Sequence, residues 1–306
     1  MHDRYPVQRT RYPTVFGRRG AVATVAAMAR FPWSTALVTG ASSGIGRAMV
    51  GQLAEADVAV VAVARRGDRL QELAARFAQV EPLVADLETA TGRGLVTARL
   101  ADPERGVELL VNSAGYGASG AFWTVDLDHQ LGQVELNVAA LTELTHAALG
   151  LMVARSRGWV LNVASVVGFQ AAPSSATYGA TKAYVISLTE ALAEEVRGHG
   201  VHVSALCPGL TRTEFHERFA PGGGSGTENT TTTGDSGAAA KLGRQPRPLG
   251  VWMTAETVAA IGLAAVARGQ VLVVPGAANK ALVAGSALAP RRLRRRIAGL
   301  ATRRRY

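Results

Sequence analysis

Tyr178 and Lys182 stand four residues apart in the run Tyr178-Gly-Ala-Thr-Lys182, so on a helix they share one face. A phenol with its ordinary pKa of about 10 is a poor base at neutral pH, and a neighbouring ammonium favours its phenolate form. Such a pair can exchange a proton with a carbonyl or alcohol oxygen while hydride moves to or from a nicotinamide. An isolated Tyr-x-x-x-Lys is more often an exposed pair with no role. Here an apolar run at 159–163 and Ser165 precede it, and they reverse that judgement.

A second cluster lies near the start of the chain, where Gly40, Ser42, Ser43, Gly44, Ile45 and Gly46 follow the apolar run 35–39 and lead into a helical apolar pattern. Missing Cβ atoms let a backbone approach a pyrophosphate, and a helix N-terminus supplies N–H donors and positive potential. The Gly-x-x-x-Gly-x-Gly spacing differs from the common Gly-x-Gly-x-x-Gly fingerprint. By itself it is no stronger than a plain strand-to-helix turn; the strand before it and the helix after it favour a phosphate site.

The elements that must position these groups follow a βα rhythm. Strands are expected at 35–39, 58–63, 82–85, 106–111, 159–163, 201–206 and 270–274, with helices at 68–79, 127–155, 176–197 and 257–267. Short apolar runs alternating with helical periods predict an α/β fold: a Rossmann-type doubly wound parallel sheet of about seven strands with helices on both faces. Ser165 falls just beyond the fifth strand, at the end where such sheets bind ligands.

Taken together, the glycine turn, Asn112-Ser-Ala114-Gly115, Asn137, Ser165, Tyr178-x-x-x-Lys182 and Pro208-Gly209 resemble, in order and spacing, a short-chain dehydrogenase/reductase of the single-domain kind over roughly 35–276. The Ala-Arg-Arg after the second strand and the Pro-Arg-Arg near the C-terminus are similar to those of bacterial ketone and acyl-chain reductases in that family. The resemblance implies that Tyr178 is the general acid/base and that Lys182 tunes it and holds the nicotinamide ribose. It implies that Ser165 orients the substrate oxygen and that Asn137 holds a water of a proton relay. It also implies that Asp86 and Leu87 contact adenine, that Asn112, Ala114 and Gly115 pass beside the cofactor, and that Pro208, Gly209, Thr211 and Thr213 meet the nicotinamide carboxamide. Ser113 stands where the family usually has Asn, which puts one local hydrogen bond in doubt.

Cofactor choice belongs at the end of the second strand, where an acid would bind the ribose hydroxyls of NAD. Arg65 and Arg66 stand there instead, and paired guanidinium donors suit a phosphate. NADP(H) is therefore expected over NAD(H), with Asp68 nearby as the opposing signal.

The region 211–253 falls where the family has a lid, and it contains a low-complexity insert at 221–240 whose composition cannot bury enough apolar area to order itself. Phe215, Phe219, Leu249, Trp252 and Met253 flank it and, with Phe122 and Trp123, could line an apolar pocket for a hydrophobic ketone or secondary alcohol. The 48% hydrophobic fraction supports one sizeable core. The domain is expected over 34–279, between a disordered basic extension at 1–33 and a basic tail at 280–306. Residues 1–30 carry six Arg against one Asp, and 280–306 carry eight Arg and one Lys with no acid. The remainder of the +10 chain is thus mildly acidic, which argues against a nucleic-acid face on the domain.

In the tail, Leu293, Ile297 and Leu300 would share one helix face among arginines. It reads equally as a segment lying on an anionic membrane or as a solvated basic tail. Arg18-Arg19 before an apolar stretch resembles a twin-arginine signal without a convincing cleavage site, and translation from Met28 is an alternative. A cytoplasmic enzyme is expected, consistent with a single cysteine, no metal-ligand spacing, and a homodimer or homotetramer built on the helices near 127–155 and 176–197. The competing readings are a non-catalytic dinucleotide sensor that uses its tails on membranes or partners, and nucleic-acid binding by the tail. The Ser-Tyr-Lys set argues against the first, and the lack of any groove-reading motif against the second.

Overall fold

The computed structural model describes residues 31–215 and 252–302. The expectations for 1–30, the insert at 221–240, Phe219, Leu249 and 303–306 lie outside them.

The strands are β1 (Thr35–Thr39), β2 (Ala59–Ala64), β3 (Val80–Val84), β4 (Leu109–Asn112), β5 (Gly158–Val163), β6 (Val201–Leu206), β7 (Thr211–Arg212), β8 (Met253–Thr254) and β9 (Leu272–Val273). Seven of them form one parallel sheet in the order β3-β2-β1-β4-β5-β6-β9, and β7 and β8 pair separately. The helices are α1 (Gly44–Glu55), α2 (Gly67–Arg76), α3 (Ala90–Leu100), α4 (Leu127–Ala154), α5 (Ala176–Glu195), α6 (Ala255–Ala267), α7 (Ala277–Leu288) and α8 (Arg291–Thr302).

Alternation along the strands builds the two layers. Ala36, Val38, Val60, Ala62, Leu109, Val111 and Leu161 face one core with Met49 and Leu53 of α1 and Val258 and Leu263 of α6. Leu37, Val61, Val63, Leu110 and Val160 face the other, with Leu100 of α3 and Leu144 and Met152 of α4. The central strands β1 and β2 are apolar on both faces, as a parallel sheet covered on both sides requires. Truncating a fully buried Leu37 or Leu110 to Ala should cost about 2–5 kcal/mol. Among the described residues α4 alone is long and apolar enough to cross a bilayer. Its Leu141, Leu144, Ala148, Leu149 and Met152 are buried in the protein, so it serves as a core helix.

Several boundaries move. Phe31 stacks on Trp33 with ring centroids 5.1 Å apart, Trp33 meets Trp159 edge-on at 5.5 Å, and Trp33 is buried. Aromatic packing thus draws 31–33 into the domain rather than into the extension. α3 escaped the sequence reading because Gly92 and Gly94 interrupt its pattern; Thr89 caps it by accepting from the Gly92 amide. α6 starts two residues early because Thr254 caps it. The expected domain end at 279 falls inside α7, where Asn279 is buried. Met253 is partly buried and packs on the first core.

Candidate active site

Strand order reverses between β1 and β4, the place where open α/β sheets bind ligands, and the expected site residues follow the C-terminal ends of β1 to β6. Gly40 and Gly44 have φ of +69° and +55°, a region only glycine enters without strain. A Cβ on Gly40 would lie 2.8 Å from the Ala114 amide, one on Gly46 2.5 Å from the Gly40 carbonyl, and one on Gly44 3.1 Å from Thr213 Cγ2. Thr39 Oγ1 fixes the next strand end by accepting from the Ser113 and Ala114 amides, both at 3.0 Å. Ser43 is the N-cap of α1 and Ile45 packs against the core. The bare backbone at a helix N-terminus fits a dinucleotide pyrophosphate.

Ser165, Tyr178 and Lys182 converge, all buried. Ser165 Oγ accepts from the Val167 amide at 3.3 Å and donates to the Pro208 carbonyl at 3.5 Å, which joins the β5 end to the segment after β6. Lys182 Nζ donates to the Val163 carbonyl at 2.9 Å and lies 5.7 Å from the centre of the Tyr178 ring. Burial pushes the Tyr178 phenol up to about 12, against a hydrogen bond with Ser165 that pulls it down. Burial likewise pushes Lys182 down to about 8, with Cys207 opposing. The expected lowering of the phenol by Lys182 is not what sets its pKa: desolvation dominates, only the Ser165 hydrogen bond opposes it, and at neutral pH Tyr178 carries its proton. Burial also holds the Cys207 thiol up at about 12, so it is inert.

Asn137 lies in a π-helical stretch of α4, Glu135–Ala140, a distortion frequent at functional sites. Its Nδ2 donates to the Tyr116 carbonyl at 2.9 Å and to Thr181 Oγ1 at 3.1 Å, and its Oδ1 accepts from the Tyr116 amide at 3.2 Å. A Cβ on Gly115 would sit 2.8 Å from Asn137 Oδ1 and 3.4 Å from Lys182 Nζ, so only glycine lets the chain pass there.

Other expected contacts resolve differently. The Asn112 side-chain amide works inside the core: its Nδ2 donates to Thr145 Oγ1 and Asn162 Oδ1, both at 2.9 Å, and Asn162 donates on to Thr189 Oγ1 at 3.0 Å. This buried ladder ties β4 and β5 to α4 and α5. The Leu87 side chain is buried in the second core, and its carbonyl accepts from Arg93; only main chain there can face a ligand. Asp86 accepts from the Glu88 amide. Thr211 is buried and donates to the Gly209 carbonyl at 3.1 Å. Thr213 Oγ1 accepts from the Phe215 amide at 3.4 Å. Gly209 leaves room for Asn279, whose Nδ2 would be 2.5 Å from a Cβ there.

The two arginines part company. Arg65 is ion-paired with Glu88 at 3.0 Å and Asp86 at 4.0 Å. Arg66 donates to Ser42 Oγ from Nε and Nη2, at 3.1 and 2.9 Å, and from Nη1 to Glu214 Oε2 at 3.0 Å. Arg69 Nη1 reaches Glu214 Oε1 at 2.6 Å and the Ser42 carbonyl at 3.4 Å. Arg69 and Glu214 were missed by the sequence reading. Arg69 could have been found, being one helical turn beyond Arg66; Glu214 could not, being 148 residues from Arg66. The Phe215 ring lies 5.5 Å from Tyr178, and Phe122, Trp123 and Trp252 are exposed.

A family model described as short chain dehydrogenase matches residues 34–222. A short-chain dehydrogenase from Sphingobium yanoikuyae in complex with NADPH is 31% identical, with a TM-score of 0.68 over 83% of this chain and 93% of that one. The bulky-bulky ketone specific alcohol dehydrogenase from Comamonas testosteroni is 28% identical, with a TM-score of 0.65 over 83% and 92%. A short-chain dehydrogenase/reductase from Burkholderia phymatum in complex with NAD is 28% identical, with a TM-score of 0.66 over 83% and 93%.

Proposed function

Since the chain belongs to the short-chain dehydrogenase family, we propose that it transfers hydride between NADP(H) and a hydrophobic ketone or secondary alcohol. The observation that carries this reading is the buried convergence of Ser165, Tyr178 and Lys182 beside a glycine turn with no room for a Cβ. The glycine turn, Ser42, Arg66 and Gly115 would hold the dinucleotide, which supplies or accepts the hydride when bound. Ser165 Oγ and the Tyr178 phenol bind the substrate oxygen. In reduction Tyr178 gives that oxygen its proton, a role suited to a phenol that burial keeps protonated. Lys182 then stabilises the phenolate left behind, and Asn137 holds the 115–116 turn and the water of the relay. For substrate class, Phe215 beside Tyr178 and the aromatic Phe122, Trp123 and Trp252 support an apolar group, as does the Comamonas likeness. The Sphingobium complex supports NADP(H), while the Burkholderia complex favours NAD(H).

The same reading makes the enzyme a cytoplasmic homo-oligomer acting on small molecules. Exposed Leu127, Leu131, Val134 and Leu151 on α4 supply an apolar face for a second copy. Replacing Tyr178 with Phe should abolish reduction of a panel of aryl ketones while NADPH still quenches protein fluorescence. Turnover by that variant would remove Tyr178 from the chemistry, and loss of both activities by folded wild type would favour a protein with no catalytic role.

A further inference from the structure

Ser42, Arg66, Arg69 and Glu214 come from three separate stretches of chain and close around one point. The Glu214 carboxylate spans the two guanidinium groups, one oxygen on each, at 3.0 and 2.6 Å. Ser42 Oγ takes two further bonds from Arg66. Hydrogen bonds from Arg69 and Arg66 hold Glu214 below the usual carboxylate range. Paired guanidinium forks and a hydroxyl are the donor set a phosphate monoester requires. Here a carboxylate of the chain itself fills it.

We propose that Glu214 is an internal counter-anion seated in the site of the cofactor's 2′-phosphate, and that, with Arg69 as second phosphate ligand, it sets the preference between NADP(H) and NAD(H). A 2′-phosphate must displace the carboxylate or share the arginines with it; a cofactor with a free 2′-hydroxyl leaves the pairing intact. Glu214 keeps Arg66 and Arg69 folded inward when no dinucleotide is bound, and its negative charge lowers affinity for the phosphate alone. Its neighbour Phe215 packs on the Tyr178 ring, so displacing Glu214 also shifts the wall beside the proton donor.

This inference rests on the NADP(H) reading, and the test separates the two. Affinities for NADPH, NADH and 2′,5′-ADP are measured by calorimetry on the full chain, its E214Q and R69M variants, and R66M. Because Glu214 is more than a third exposed, the expected gain for E214Q is moderate: NADPH and 2′,5′-ADP tighten roughly tenfold while NADH stays within about twofold. R69M and R66M should each weaken 2′,5′-ADP by roughly tenfold or more. If wild type prefers NADH, the cofactor reading fails. If wild type prefers NADPH but E214Q leaves the NADPH-to-NADH ratio unchanged or lowers it, the counter-anion role alone is overturned. Circular dichroism of each variant establishes that it is folded.

A different observation carries a second inference. In α8, Leu293, Ile297 and Leu300 are 49%, 56% and 64% exposed on one face, flanked by Arg292, Arg295 and Arg296. Arg294 Nη1 meanwhile anchors the helix by donating to the Phe169 carbonyl at 3.4 Å, four residues beyond Ser165. An apolar stripe bordered by cations is complementary to anionic lipid, and we infer that α8 docks the enzyme on such a surface. Sedimentation of the full chain with phosphatidylglycerol-containing vesicles, but not with phosphatidylcholine alone, is expected. The double substitution L293E with I297E, on exposed positions, should lower binding at least roughly tenfold. Binding that survives this change, or that is seen only with single-stranded RNA, overturns the docking surface.

Discussion

One methyl group added at two glycines separates a site built on close approach from an ordinary helix. At Gly115 the new Cβ would stand 2.8 Å from Asn137 Oδ1, where ordinary contact begins near 3.4 Å. Asn137 must therefore retreat by roughly 0.6 Å in an interior with few voids to receive it. It cannot do so freely: it is 1% exposed and holds hydrogen bonds to both main-chain groups of Tyr116 and to Thr181. Overpacking of this kind costs about 1–3 kcal/mol. The same Cβ would stand in ordinary contact with Lys182 Nζ at 3.4 Å, so the displaced Asn137 lies beside that amine, and a misplacement approaching 1 Å near reacting groups can cost about 100-fold in rate. G115A should therefore lose about 1–3 kcal/mol of stability and between roughly tenfold and 100-fold in kcat/KM. G94A, whose Cβ meets nothing within 4 Å in α3, should gain about 0.5–1 kcal/mol with unchanged kinetics. Urea unfolding and NADPH oxidation followed by absorbance read both quantities. A G115A enzyme with kcat/KM within about threefold of wild type and an unaltered midpoint would refute the close-approach reasoning.

Asn162→Ala should cost about 2–4 kcal/mol, because it opens a void and strips partners from Asn112 and Thr189; a change in the urea midpoint at constant slope checks this, and a loss under about 0.5 kcal/mol would make the ladder dispensable. The pH dependence of stability should carry the signature of Lys182. Its folded pKa falls from 10.5 to about 8, so between these values the unfolded chain binds more protons and stability rises with pH. Relative to K182M, wild type should gain about 3 kcal/mol from pH 8 to pH 10.5, and a flat difference in parallel urea titrations would show that the amine is not desolvated. Tyr178 works in the opposite sense, since its raised folded pKa makes stability fall between 10 and about 12; Y178F should lose that decline.

Much of this protein is local and therefore legible in its sequence. Short continuous apolar runs, a glycine turn between strand and helix, and Tyr178 one helical turn before Lys182 each depend on residues close together in the chain, so residue type and spacing specify them. That was enough for the doubly wound sheet, the strand ends that carry the site, and the Ser165–Tyr178–Lys182 set. α3 escaped because its glycines hide the period, and the core face of 31–33 because its partner Trp159 lies far along the chain.

Tertiary structure alone decided which long-range neighbour each polar group acquires. The resemblance implies that Asn112 passes beside the cofactor, but only the fold shows that its Nδ2 bonds Asn162 and Thr145, because parallel pairing of β4 and β5 sets the two asparagines side by side. Arg65 and Arg66 are adjacent and chemically alike, but folding turns one toward Glu88 and the other toward Ser42 and Glu214. The protonation of Tyr178 and Lys182 was decided in the same way. Composition cannot show how completely water is excluded around Tyr178 and Lys182, and that desolvation raises the phenol against the Ser165 hydrogen bond and lowers the amine against Cys207.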